Sequence, residues 1–383
     1  MKYRDVLYGE WELPPVIEDL LHTLEINRLR HIAQAVAPNN LMPYGFIPSR
    51  FHHGMGVCYL MSLAIKSNRN HFGHIAPLLL SAALLHDGGS PPFSHLGEHF
   101  LKEATNKNGE EFLQDILEGT ETEKVLHNHG VTLKDVVAMV TGNMRPLSDV
   151  LHGSIDADNV DNIARAYYAM IGGKAPYNPT DIASSFLWRD NAWALSESSF
   201  WQVKKWQEAR ENVYRLIYGY PHLCIATMLY RAVELAFTED QLHESFFRMD
   251  DYQALNFLRT CNTGTRVLVE RLLRWQWYEE IFSHEMILPS KQVQAAADHW
   301  QGRKQLADAI CGRFRIAPED VCVFITKGRE RRHLELPFIY GAKKRFDQGS
   351  SWRIYHVNVY TPSALVSSLG KKIAAFVADA VQF

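Results

Sequence analysis

Cysteine is scarce: Cys58, Cys224, Cys261, Cys311 and Cys322 are the five in 383 residues, an odd and scattered set without a Cys-x-x-Cys spacing. That excludes a disulfide framework and a zinc ribbon, and it fits a reducing compartment. An excess of one charge is missing too. Forty basic and forty-three acidic residues leave a net charge of −3, which argues against a general nucleic-acid coat or a membrane-surface protein and leaves only local patches open. No apolar run approaches the roughly 20 residues of a membrane-spanning helix, and the N-terminal MKYRDVLYGEWELPPVIEDLL lacks the apolar stretch of a signal peptide. A soluble, cytoplasmic protein is expected.

What is present is helical periodicity. From about residue 14 to 172, apolar residues recur at helical spacing in PPVIEDLLHTLEINRLRHIAQAV, HHGMGVCYLMSLAIKS, HIAPLLLSAALLHD, PFSHLGEHFLKEA, TLKDVVAMVTG and DADNVDNIARAYYAMIGG, separated by short Gly, Pro and Asn stretches. Pro14-Pro15 and Pro91-Pro92 suit first turns of helices. SSFLWRDNAWALS, residues 184–196, reads as a β-hairpin with an Asp-Asn turn. Two long helices follow it. After about 285 come a helix near 291–315, strands in VCVFITK and WRIYHVNVY, and a final helix. The expected fold is mainly α, with a small C-terminal α+β unit and a β-hairpin insertion. The divisions are residues 1–180 as core, 181–285 as hairpin and helices completing a pocket, and 286–383 as the C-terminal unit.

The chemistry concentrates in LLHDGGSPPFSHLGEHF, residues 84–100. His86-Asp87 offers one imidazole nitrogen and one carboxylate oxygen, a pairing suited to Mn²⁺, Fe or Zn²⁺. Two ligands make a weak site, so further ones are sought upstream, at His53 in SRFHHGMG, and downstream, among Asp156, Asp158 and Asp161 in GSIDADNVDNIAR. Acids at a helix start are ordinarily caps; here they complete an ordered H…HD…D pattern. On a helix beginning near Pro92, His95 and Glu98 are i,i+3 neighbours, so the carboxylate can orient an imidazole used as general acid or base. His99 turns away from that face and reads as a surface or satisfied histidine.

These segments resemble the HD superfamily of metal-dependent phosphohydrolases, in the subgroup of deoxynucleoside triphosphate triphosphohydrolases. The likeness runs in order over roughly residues 5–275. It implies His53, His86, Asp87 and Asp158 as ligands of a divalent metal ion (Mn, Fe, Mg, Zn or Ni/Co), with Asp156 and Asp161 as supporting groups. It also implies His95 with Glu98 as the catalytic pair, Glu98 standing where an Asp is common. Substrate contacts implied in the same way are Gln34 toward a sugar hydroxyl, Arg50 and Arg210 toward phosphates, and Tyr218 over the sugar.

Departures from the family pattern touch the pocket. Ser90 stands where the family has a histidine, and as a bare serine before a helix it reads as a cap. A later family histidine has no match in EATNKNGEEFLQ, and Asn159, Asn162 and Tyr220 replace other family residues. The expected function is a nucleotide phosphohydrolase releasing triphosphate from dNTPs. The alternatives are a nucleotide phosphatase or phosphodiesterase, and a weakly catalytic regulatory nucleotide-binding module. The basic runs KGRERRH (327–333) and KKRF (343–346) read as solvated loops or as a patch for an effector nucleotide or single-stranded nucleic acid. A homo-oligomer is expected from the resemblance.

Overall fold

The computed structural model describes residues 1–383 except 35–36, 44–45, 331–332, 335–336, 341–342, 347–352 and 382–383. The side chains of 343–346 are likewise outside the description, so both basic runs lie partly outside the described residues. No helix among the described residues is long and apolar enough to cross a membrane.

The chain is mainly helical, as its periodicity predicts. A small antiparallel ribbon, β1 (Lys2–Asp5) and β2 (Gly9–Glu12), precedes the helices. The Arg50–Ser67 helix opens with a capping box, Ser49 and His52 each bonding the other's backbone N–H. It lies against the Ala76–Leu85 helix, which is almost wholly apolar, and against Ala157–Met170, whose N-cap is Asp156. Gly54 and Gly56 allow this closeness. A Cβ on Gly54 would stand 2.8 Å from the Leu84 carbonyl oxygen, and one on Gly56 would stand 2.0 Å from Asp161 Oδ1.

The hairpin is where the sequence puts it: β3 (Phe186–Arg189) and β4 (Ala192–Ser196) pair antiparallel around Asp190-Asn191. Both turn residues have positive φ, 53° and 56°, the backbone of a type I′ turn that Asp and Asn tolerate. The C-terminal chain supplies β5 (Glu279–Met286), β6 (Cys322–Lys327), β7 (Pro337–Tyr340), β8 (Lys343–Phe346) and β9 (Tyr355–Thr361). Their order is β5-β9-β6 in one sheet, while β7 and β8 extend the hairpin into a second, β3-β4-β7-β8. The edge strand β5 comes from before residue 286 and carries mostly exposed polar residues, so it lacks the apolar alternation that marks a strand in sequence. The helix expected over 291–315 is two, Lys291–Asp298 and Trp300–Phe314, broken at His299, whose φ of −130° and ψ of 129° are extended.

Candidate metal centre and adjoining cavity

His53 projects from the Arg50–Ser67 helix, His86 caps the C-terminus of Ala76–Leu85, and Asp158 lies in the first turn of Ala157–Met170. Their ligand atoms converge: His53 Nε2 is 3.2 Å from His86 Nε2 and 2.9 Å from Asp158 Oδ1. These three form the compact set, and Asp87 Oδ2 lies beside it, 3.3 Å from His86 Nε2 and 3.7 Å from His53 Nε2. Cis ligands around an ion with bonds of about 2.1 Å stand roughly 3 Å apart, so the group has the dimensions of a first-row divalent site.

The proton inventory gives the same answer. His53 Nδ1 faces Asp161 Oδ2 at 2.7 Å and His86 Nδ1 faces the Ala83 carbonyl at 2.8 Å, so each Nδ1 carries the hydrogen and each Nε2 presents a lone pair. Two lone pairs and two carboxylates therefore meet and require positive charge, either a shared proton or a cation. Burial disfavours charge on His86, yet Asp87 and Asp158 reverse that and push its pKa up to about 10.

Asp161 is part of a buried support. Besides His53 it binds Arg165 and accepts from Tyr8 Oη at 2.7 Å, while Arg165 also pairs with Asp5 at 3.1 Å. Asp156 has a different task, accepting from the Asn159 N–H as the N-cap.

Arg50, expected toward a phosphate, is engaged mainly by Asp87, with its Nη2 left unpartnered among the described residues. It is buried, and its Nη1 lies 2.8 Å from both oxygens of Asp87 while Nε donates to Ser94 Oγ at 3.0 Å. Ser94 in turn donates to the Ala33 carbonyl, and Asp251 accepts the backbone N–H groups of Ala33 and Phe93. These bonds hold Phe93 and Ser94 at φ of 61° and 51°, a left-handed conformation costly for non-glycine residues and tolerated where surroundings enforce it. The following helix therefore begins at His95, not near Pro92, and Pro91-Pro92 belong to the turn. Ser90 consequently caps nothing; it is buried, and its carbonyl accepts from Arg28.

The strained turn aims His95 into a cavity of about 180 Å³. His95 Nδ1 and Glu98 Oε2 are 3.0 Å apart. Burial would raise the Glu98 carboxyl, but His95, Arg50 and Arg329 outweigh it and hold the pKa down to about 2. Gln34, Asn162, Tyr214, Tyr218, Tyr230 and Phe324 are among the wall residues. Gln34 Nε2 donates to Asn162 at 3.2 Å, leaving its buried Oε1 without a partner among the described residues. Arg210 is buried and is not itself in the wall, its guanidinium 4.6 Å over the ring of the wall residue Tyr214. His99, read as a surface or satisfied histidine, is of the second kind: it is in the wall and meets Arg303. His86 and Asp158 line a second cavity of about 190 Å³ with Glu110 and His152, whose Oε1 and Nδ1 stand 3.6 Å apart.

Residues 209–346 match the family model of the HD associated region. The uncharacterized protein YwfO of Bacillus subtilis is 25% identical over 310 residues, 73% of this chain and 70% of its own length. A deoxynucleoside triphosphate triphosphohydrolase SAMHD1 homolog of Dictyostelium discoideum is 22% identical over 335 residues, 77% of this chain but 62% of that protein. A phosphohydrolase structure from Bacteroides thetaiotaomicron is similar with a TM-score of 0.70 at 18% identity, covering 94% of this chain and 99% of that one. The chain has the fold of an HD-type phosphohydrolase. It resembles the dNTPase members of that type at low identity.

Within this HD fold, His53, His86, Asp87 and Asp158 are brought together, and His95, Glu98, Gln34 and Tyr218 are brought to one cavity. Arg50 and Arg210 are not in its wall. Sequence reading missed Glu110, His152 and Arg303, and it took Arg329 only as part of a basic run open to solvent or to an effector. The last two reach the cavity from the C-terminal unit, and no local spacing signals a contact made across such a distance in sequence.

Proposed function

We propose that the protein is a divalent-metal-dependent phosphohydrolase acting on nucleotides, with a dNTP, cleaved at the α-phosphorus to nucleoside and triphosphate, as substrate. The observation that carries this reading is the meeting of two imidazole lone pairs and two carboxylates beside the His95–Glu98 pair and its cavity. His53, His86, Asp87 and Asp158 would hold the ion, which when bound polarises a phosphoryl oxygen and activates water.

The remaining steps belong to the chain's own groups. Glu98, ionised, fixes the His95 ring through Nδ1 and stabilises positive charge on it, leaving Nε2 to pass a proton to the departing 5′ oxygen as water bonds to phosphorus. The unpartnered Gln34 Oε1 is an acceptor suited to a sugar hydroxyl. Tyr218 and its neighbouring rings offer flat apolar surface for sugar and base. The expectation of a homo-oligomer rests on the resemblance alone.

Incubating the protein with a panel of nucleotides and Mn²⁺ or Mg²⁺, then separating products by chromatography, tests the reading. Inorganic triphosphate with a deoxynucleoside is expected. Orthophosphate alone would make it a phosphatase, and no product with either metal would remove the enzymatic reading.

A further inference from the structure

The cavity beside His95 is walled on one side by the C-terminal unit: Arg303 from the Trp300–Phe314 helix, Phe324 and Thr326 from β6, and Arg329 just after it. Arg303 is only 4% exposed. Its Nη2 meets His99 Nε2 at 3.2 Å, its guanidinium lies 4.6 Å over the Tyr230 ring, and its buried Nε has no hydrogen-bond partner. Among the described residues it has no carboxylate partner. His99 is a neutral ring accepting at Nε2, its pKa pushed down to about 4 by burial and Arg303, and it brings no counter-charge. Arg329 is exposed, hydrogen-bonds Tyr214, and donates its backbone N–H to Tyr218 Oη at 3.2 Å.

A guanidinium buried against rings with no carboxylate in ion-pair contact among the described residues, only Glu234 acting on it from further off, is held at a cost that a bound anion reduces. Its planar fork fits phosphate oxygens. Of the two arginines that the resemblance offers for phosphate, Arg50 is neutralised by Asp87, while Arg210, stacked on the wall residue Tyr214 with its Nε and Nη1 unpartnered among the described residues, is not itself in the wall. Asp87, Arg50 and Ser94 are joined by hydrogen bonds, His95 and Glu98 follow Ser94 in the chain, and Arg329 and Arg303 share the cavity wall with His95.

We propose that Arg303 and Arg329 form a phosphate-chain subsite, taking the outer phosphates of a substrate whose reacting phosphorus lies at the His53–His86–Asp158 cluster. This rests on the phosphohydrolase reading for the orientation of the ligand, while the anion site itself can be tested without turnover. The C-terminal unit is then a wall of the active site and selects ligands by phosphate number.

The test uses the full chain with Mn²⁺, measuring binding of inorganic tripolyphosphate and of a deoxynucleoside by calorimetry, and turnover of dNTPs. Arg303→Gln is expected to weaken tripolyphosphate binding about 10- to 100-fold, the loss of charge-assisted hydrogen bonds, and to raise the dNTP KM similarly with kcat little changed. Deoxynucleoside binding stays the same. Arg303→Lys, which keeps charge but not the fork, falls between. Arg329→Gln, at an exposed position, moves in the same direction and decides the matter if Arg303→Gln does not fold. Unchanged tripolyphosphate affinity in the Gln variants, or none in the wild type, overturns the subsite even in an active enzyme. A wild type that binds tripolyphosphate through Arg303 but hydrolyses no nucleotide upholds the subsite and sinks the phosphohydrolase reading.

Discussion

Arg50 Nη1 sits 2.8 Å from both carboxylate oxygens of Asp87, so one proposed metal ligand is already neutralised by a buried cation. Burial alone would raise the Asp87 carboxyl, but Arg50 and then His86 hold it well below the usual carboxylate range. Arg50→Gln strips that partner and is expected to cost the metal-free protein about 3–5 kcal/mol. Mn²⁺ should recover part of the loss by replacing the missing positive charge. Thermal unfolding with and without Mn²⁺ measures both, and an equal loss in the two conditions would show that Asp87 is no ligand.

Removing a ligand should remove the ion. His86→Ala and Asp158→Asn are expected to leave folded protein with little bound metal and no turnover, because each supplies one of the converging atoms. Elemental analysis after dialysis checks this. Full occupancy in both variants would refute the assignment.

Asp161 acts through His53. Asp161→Asn keeps the size of the side chain but removes the charge that faces Arg165 and the His53 Nδ1–H. Metal affinity is expected to drop about 10- to 100-fold, together with thermal stability. Gly56→Ala should destabilise through the same network, since its Cβ would collide with Asp161 and Arg165. A titration of Mn²⁺ into Asp161→Asn that matches wild type would make the contact merely structural.

His95→Ala should retain the ion while lowering kcat by about 10²- to 10⁴-fold, the usual loss for a general acid or base. Glu98→Gln is expected to fall between this variant and wild type. Metal content measured alongside turnover separates the proton-transfer role from damage to the ion site.

Asp251 predicts a pH effect. Burial pushes its pKa up to about 7, against the lowering effect of the Phe93 and Ala33 N–H groups. The folded state therefore binds a proton more tightly than the unfolded state, and this contribution is full below about pH 4 and lost as pH rises toward 7, amounting to a few kcal/mol. Asp251→Asn should flatten that part of the stability profile. Urea midpoints at pH 5 and pH 8 for both proteins decide it, and parallel profiles would count against the assignment.

The sequence made the helical core, the hairpin and its Asp190-Asn191 turn legible because helix period and turn chemistry are local. His53, His86, Asp87 and Asp158 were legible through ordered motifs, and the His95–Glu98 contact through i,i+3 spacing. Other features depend on distant partners. Nothing around Phe93-Ser94 announces a left-handed turn, which Asp251 and Ala33 hold from elsewhere in the chain. Arg50 reads as a phosphate ligand until Asp87 is seen opposite it. Whether His99 is a surface or a satisfied histidine is decided only by Arg303 of the Trp300–Phe314 helix.

The parallel pairing of β4 with β7, Leu195 beside Phe338, sets an order on biogenesis. During synthesis the β3–β4 hairpin forms early from neighbouring residues, yet the edge of β4 stays unpaired until Phe338 has left the ribosome. An unpaired strand edge is a template for wrong partners. A nascent chain halted before β7 is thus exposed to association there, and the hairpin edge is where a holding chaperone would bring the greatest gain in yield.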